Sequence, residues 1–342
     1  MVTEEEACRF LSDPVSYGIA SETISAIKTH ISIVFLTRNR AFKWKRRVSF
    51  YYLDFQTAAS REAAYQAEFD LNRRTAPELY IGIRSIRRDD CGLLSFGKTG
   101  EIVDWVLEMR RFESNQLLSM MAVDGKLTAP LMENLASVIS QLHARAPKNC
   151  TYGGLSGVTR ICDGNFRELS RSQAILGQSL IETWYAQMKS QLAAHAQELE
   201  RRRTDGMVRR CHGDLHLANI CIFNDKLSIF DCIEFSEELS IIDVLYDLAF
   251  LLMDLEFRGL NSLANRVLQK YIAETGDGGT MSLIAMFGSL RASTRAQVAM
   301  AQLHAQGGSE LREEARRYMV IACRILSEPW LPMDAAATDE RS

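Results

Sequence analysis

Proline is scarce in this sequence, with six in 342 residues, and the eight cysteines never form a C-x2-C pair. That absence removes the usual signature of a structural zinc site or a redox pair. Cys211, Cys221 and Cys232 lie near His212 and His216, but spacings of ten and eleven residues match no compact ligand pattern, so no zinc is expected. The cysteines fall in apolar stretches and read as reduced thiols. No run approaches 18 apolar residues, and the N-terminus, MVTEEEACRF, is acidic. A membrane span and a signal peptide are therefore not expected, and the reading is a cytoplasmic protein. Excess charge is missing too: 40 basic residues face 43 acidic ones, a net charge of −3. Such a balance offers no field for nucleic acid or an anionic membrane. Arg201-Arg202-Arg203 closes a helical pattern, where positive charge complements the helix dipole. Finally, no G-x4-G-K-[ST] occurs anywhere, which excludes a P-loop.

What remains is an ordinary globular composition, 47% hydrophobic and 24% charged, in a chain long enough for one large or two smaller domains. The most informative stretch is CHGDLHLANICIFNDKLSIFD, which ends at Asp231. Residues 219–223 and 227–230 are apolar runs around the polar turn Asn224-Asp225-Lys226 and read as a tight hairpin. A hairpin returns the chain beside its start, so Asn219 and Asp231 come close together, with Asp214 just upstream. The residue types suit phosphoryl transfer from ATP. Mg²⁺ is a hard ion that needs oxygen ligands, and one carboxylate with one amide suffices when it keeps waters; Asp231 and Asn219 fit. Asp214 fits as the group that takes the acceptor hydroxyl's proton. His212 fits as a residue that holds the loop by hydrogen bonding.

His212-Gly213-Asp214, then Asn219 and Asp231, resembles the catalytic loop and metal aspartate of the aminoglycoside phosphotransferase and choline kinase family, relatives of the protein kinases. The step from Asp214 to Asn219 is that of H-R-D-x-x-x-x-N. The third element reads Asp231-Cys232-Ile233 where protein kinases have Asp-Phe-Gly, which favours the small-molecule branch. From Thr29-His30-Ile31-Ser32 to Asp247-Leu248-Ala249 the chain further resembles a bacterial subgroup of aminoglycoside phosphotransferase family enzymes. Some members carry a fused P-loop kinase domain, which is expected to be missing here. The resemblance implies a bilobal α+β protein-kinase-like fold. Residues 1–112 would form the nucleotide-binding lobe, 113–332 the catalytic and acceptor-binding lobe, and 333–342 a disordered tail.

Other elements follow in chain order. Residues 1–29 read as helical, broken at Pro14 and Gly18. Residues 31–36 and 41–50 read as an antiparallel pair. Alternation puts Ala41, Lys43 and Lys45 on one face, opposite Phe42 and Trp44. By resemblance Lys43 contacts the α and β phosphates, with Lys45 as the fallback. Residues 60–74 read as a helix offering Glu62 and Glu68 to orient that lysine; periodicity does not choose between them, and the resemblance favours Glu68. Residues 80–86 and 101–110 read as strands. The second resembles the strand entering the interlobe hinge, where backbone groups near Glu108, Met109 and Arg110 would bind adenine. The turn Thr37-Arg38-Asn39-Arg40 lacks the glycines that cover phosphates in protein kinases, which implies a looser grip unless Arg38 or Arg40 substitutes.

Residues 130–146 read as an amphipathic helix and 151–163 as an acceptor-site loop or surface insertion. Ile181, Trp184, Tyr185, Met188, Leu192 and Leu199 recur at helical spacing, as a core stripe. Ser240 to Asp243 fits a capping box for a helix apolar nearly all round, which carries Asp243, Asp247 and Asp254 on one stripe. By resemblance Asp247 braces the catalytic loop, while Asp243 is mainly a cap. Arg291 and Arg295, one turn apart, face either an anionic acceptor, solvent or the acidic helix. The expectation is an ATP- and Mg²⁺-dependent kinase acting on a small-molecule hydroxyl. Its rivals are a nucleotide-binding pseudoenzyme and, less favoured, a protein kinase, for which the stretch from Asp231 to Asp243 is short.

Overall fold

The computed structural model describes all residues except 1, 30, 51, 52, 329 and 331–342. The tail expected to be disordered, 333–342, lies outside the described residues. The chain divides into two compact units. One comprises Met1–Met120 with Asn219–Glu237; the other comprises Met121–Ala218 and the chain from Glu238 onward.

The first unit is built on a six-stranded antiparallel sheet. Its spatial order is Ser25–Lys28, Ser32–Leu36, Arg40–Lys45, Glu101–Arg110, Tyr80–Arg88 and Leu94–Ser95. The alternation in Arg40–Lys45 sorts its side chains as expected. Phe42 and Trp44 enter an apolar cluster with Leu11, Phe35, Ile86, Val103 and Val106, which leaves Lys43 and Lys45 for the opposite face. The Trp44 indole donates to Asp104 at 3.1 Å, and Asp104 also holds the buried guanidinium of Arg61 at 2.8 Å, so the polar atoms in this core are paired. The helix Ala58–Asn72 starts on a Thr57 cap and belongs to the same unit.

The hairpin is Ile220–Phe223 against Lys226–Ile229, in register from Ile220↔Ile229 to Phe223↔Lys226. Its turn is only Asn224 and Asp225, with φ of 48° and 60°. Two consecutive left-handed residues match the strand twist, and Asn and Asp tolerate that region better than most residues.

The second unit is mainly helical. Its central helix, Val244–Phe257, is buried at almost every position, as an all-round apolar pattern requires. The stripe from Ile181 to Leu199 belongs to Gln178–Ala194 and Ala196–Thr204 and is core at Ile181, Trp184, Met188, Leu192 and Leu199. No helix among the described residues is long and apolar enough to cross a membrane.

Three expectations need correction. Residues 25–28 form a strand, not helix; Ser25–Lys28 is an edge strand exposed at all four positions, so burial leaves no alternation to read. Residues 154–163 are not a loop but the start of the helix Gly154–Ser170, whose buried Val158, Cys162, Asn165 and Leu169 keep helical spacing despite the glycines. The cap of the central helix is Asp243, accepting from the Leu245 amide at 2.8 Å, and not Ser240. A short strand, Ile241–Asp243, separates the two by pairing with Val208–Arg210.

Candidate active site

In the first unit the central feature is the lysine strand. Lys43 Nζ donates to Glu68 Oε1 at 2.7 Å and to Asp231 Oδ1 at 2.5 Å. Glu68 is fully buried and Glu62 is exposed, so the helix presents the acid that the resemblance favoured. Lys45 is buried beside it and donates to Glu68 Oε2 at 2.6 Å and to Glu234. Burial alone would lower the lysine pKa, but Asp231 and Glu68 outweigh it and hold Lys43 well above the ordinary value. Burial likewise favours the neutral form of Glu68, yet the two ammonium groups keep its pKa well below the carboxylate range.

Asp231 has a φ of 64°, a region disfavoured for non-glycine residues, and three successive amides hold it there. Phe230 N–H donates to Asn219 O at 2.9 Å, Asp231 N–H to the Tyr80 hydroxyl at 3.1 Å, and Cys232 N–H to Asn72 Oδ1 at 2.9 Å. The first of these bonds extends the hairpin by one step and pairs Asn219 with Phe230, the residue before Asp231. The Asp231 side chain remains 44% exposed while one oxygen is bonded to Lys43.

Glu108 and Met109 lie in Glu101–Arg110 with paired strands on both sides. The Glu108 carboxylate is 3.3 Å from Arg40 Nε, so Arg40 is engaged within the sheet, while Arg38 is exposed. The glycine-free turn is closed by the Thr37 hydroxyl, which accepts from Arg40 N–H at 3.1 Å, and Arg111 donates to Thr37 O at 2.9 Å.

In the second unit the loop from His212 is hung on Asp247. This buried carboxylate accepts from His212 N–H at 3.0 Å and Gly213 N–H at 2.9 Å. Gly213 has a φ of 86°, a conformation that glycine adopts without strain. The Asp214 amide donates to His212 Nδ1 at 3.2 Å, a bond within the loop. Asp247 is supported in turn by His143 Nε2 at 3.2 Å, whose Nδ1 lies 2.9 Å from the Tyr271 hydroxyl. The other two aspartates on the stripe are also paired. Asp243 takes Arg202 at 2.7 and 2.8 Å, and Asp254 accepts from Leu217 N–H at 2.9 Å. Arg291 is buried; it donates to Gly213 O at 3.0 Å and to Tyr246 O at 3.1 Å, and its guanidinium carbon sits 3.8 Å from the centroid of the Tyr246 ring. It braces the loop from behind, so of the three settings considered for it, pairing near the acidic helix is the one found.

Asp214 is half-buried, with His216 Nε2 at 3.3 Å from its Oδ2. Burial would raise its pKa, but His216, Arg295 and His212 overcome that and keep it below the ordinary carboxylate value. His216, His143, Tyr80, Asn72 and Glu234 were not singled out as site residues from sequence. Only His216 left a signal, as the third member of the alternating His212, Asp214, His216 series.

The phosphotransferase enzyme family model matches residues 109–283, about half the chain. An uncharacterized protein of Mycobacterium tuberculosis is 31% identical over 307 residues, covering 89% of this chain and 60% of the relative; a Mycobacterium bovis protein matches equally. The chain thus spans 60% of the length of these curated relatives. Among solved structures, a choline/ethanolamine kinase family protein from Mesorhizobium loti aligns with a TM-score of 0.58 at 16% identity, covering 96% of each chain. An ethanolamine kinase from Plasmodium vivax aligns with a TM-score of 0.54 at 10% identity, covering 91% of this chain and 86% of that one. The GDP complex of aminoglycoside 2'-phosphotransferase-IIIa aligns with a TM-score of 0.51 at 13% identity, covering 94% and 99%. At these identities the structural matches speak for the protein-kinase-like α+β fold alone. With that fold and the family match over half its length, the chain belongs to the phosphotransferase enzyme family.

Proposed function

We propose that the protein transfers the γ-phosphoryl group of Mg·ATP to a hydroxyl group of a small molecule. The observation that carries this reading is Lys43, an ammonium shared between a buried glutamate and a half-exposed aspartate. Lys43 would hold the α and β phosphates, and Glu68 would orient it. Asp231 and Asn219 are oxygen donors of the kind a hard cation takes, and the exposed side of the Asp231 carboxylate leaves room for one. The bound metal would neutralise charge on the phosphates. Asp214 would orient the acceptor hydroxyl and take its proton, with His212 setting the loop. The strand carrying Glu108 and Met109 would lead into the adenine site; because both residues are paired with strands on each side, the hydrogen bonds to adenine would come from the backbone beyond them. In this reading residues 1–112 serve the nucleotide and 113–332 the acceptor and catalysis, with Asn219 and Asp231 contributed by the hairpin. The unpaired cysteines fit a cytoplasmic setting.

The acceptors named for the structural neighbours, choline, ethanolamine and aminoglycosides, make the first panel. Incubation with ATP, Mg²⁺ and each compound is expected to yield a phosphorylated product by mass spectrometry. Product formed equally well without protein, or by the Asp214→Asn variant, would contradict the proposal. A nucleotide-binding scaffold without transfer is the second reading, favoured by the glycine-free turn Thr37-Arg38-Asn39-Arg40.

A further inference from the structure

The lysine strand carries two buried lysines where the phosphate role needs one. Lys43 takes one oxygen of Glu68 and reaches Asp231; Lys45 takes the other oxygen of Glu68 and reaches Glu234. Two parallel rungs result, Lys43 to Asp231 and Lys45 to Glu234, with Glu68 bridging both. They differ in access. The Asp231 side chain is 44% exposed, whereas those of Lys45 and Glu234 are 1% and 4% exposed. The Lys45 ammonium also sits 5.0 and 5.2 Å from the ring centroids of Phe55 and Tyr65, which enclose it further. A ligand that meets Asp231 therefore does not meet Lys45.

Stability alone is a weak reason for such a pair, because removing two charges from water costs about as much as their attraction returns. The geometry supplies a better one. Asp231 and Glu234 stand three residues apart on a stretch with no regular secondary structure, and Asp231 is in a backbone region that needs external support. We propose that Lys45 and Glu234 are positioning residues that tie this stretch to the lysine strand and fix the Asp231 carboxylate for Mg²⁺. The inference rests on the function proposed above, because it takes Asp231 to be a metal ligand. Glu68 couples the rungs: with one oxygen on each lysine, it cannot turn without breaking a bond on both.

The test compares Lys45→Met and Glu234→Gln with the wild type. It reads the Mg²⁺ concentration that gives half of the thermal stabilisation by ATP, and the amide hydrogen exchange of residues 230–235 without ligand. Losing a group that orients a metal ligand costs about tenfold or more in metal affinity, so the half-maximal Mg²⁺ concentration is expected to rise by that factor. Exchange at 230–235 is expected to accelerate in the same variants, and in Glu234→Gln, which leaves both lysines on Glu68, ATP binding without metal is expected to be unchanged. The double variant Lys45→Met with Glu234→Met removes both buried charges at similar volume and leaves Glu68 its bond to Lys43, so it is less disruptive than Lys45→Met alone; it is expected to keep the raised Mg²⁺ requirement. A melting temperature that falls while the half-maximal Mg²⁺ concentration stays at the wild-type value in every folded variant would overturn the positioning role. A wild type with no Mg²⁺-dependent stabilisation would overturn the proposed function and this role with it. That failure is told apart because it lies in the wild type itself.

Discussion

Asp214→Asn is expected to lower kcat by about 10³-fold, within the range of roughly 10² to 10⁴ that a positioned general base contributes, while the affinity for Mg·ATP stays close to the wild-type value. The substitution keeps the size of the side chain and its place beside His216, 3.3 Å away, and removes only the ability to take a proton. An interaction made in the transition state alone is lost from kcat, whereas ground-state binding is kept. The same carboxylate fixes the sign of the pH dependence. Its pKa is depressed from 3.8, because burial, which would raise it, is outweighed by His216, Arg295 and His212. A depressed carboxylate is ionised from its low pKa upward, so the acid limb of kcat/KM due to this group lies below pH 3.8. Across the neutral range the Asp214 carboxylate stays charged, as the proposed base must be. A profile with an acid limb between pH 5 and 7 that disappears in Asp214→Asn would contradict this assignment.

Asp247→Ala is expected to have the largest effect on stability of any single change near the loop. It strands the amides of His212 and Gly213, together with the buried His143 and Arg291 that face the carboxylate at 3.2 and 3.8 Å. Removing one partner of a buried charged network costs about 3–5 kcal/mol, a fall in melting temperature of order 10 °C for a unit of this size. Asp247→Asn retains one oxygen acceptor, so it is expected to lose less stability but still to misplace the loop and reduce kcat. Denaturant unfolding and turnover measured on the two variants separate these effects. Equal stability of Asp247→Ala and wild type would show that the loop is held by other means.

What could be read in advance depended on whether a residue's role left a local pattern. The hairpin was legible because turn geometry acts over a few residues, here Asn224 and Asp225 between two short apolar runs. Alternation in Arg40–Lys45 was legible because one face meets an apolar core. Glu68 was not legible from periodicity, for a physical reason: the buried stripe of its helix is Arg61, Tyr65, Glu68 and Asn72. The spacing is regular, yet the side chains are mostly polar, satisfied by partners distant in sequence such as Asp104, Lys43 and the Cys232 amide. Hydrophobic patterning cannot register such a stripe. Arg291 was ambiguous on the same ground, since helical spacing does not tell a solvated arginine from one buried between Gly213 O and Tyr246. Ser25–Lys28 buries nothing and so left no trace.

Phosphoryl transfer from metal-bound ATP is tested most directly by thermal unfolding with ATP, with and without Mg²⁺, on the wild type and on Asp231→Asn. A ligand at about 100 times its dissociation constant stabilises the native state by about 2.7 kcal/mol, enough for a shift of several degrees. The expected result is a shift in the wild type that requires Mg²⁺ and is lost in Asp231→Asn. No shift with nucleotide, or a shift of the same size in Asp231→Asn, would contradict the assignment of Asp231 as the metal ligand of an ATP site.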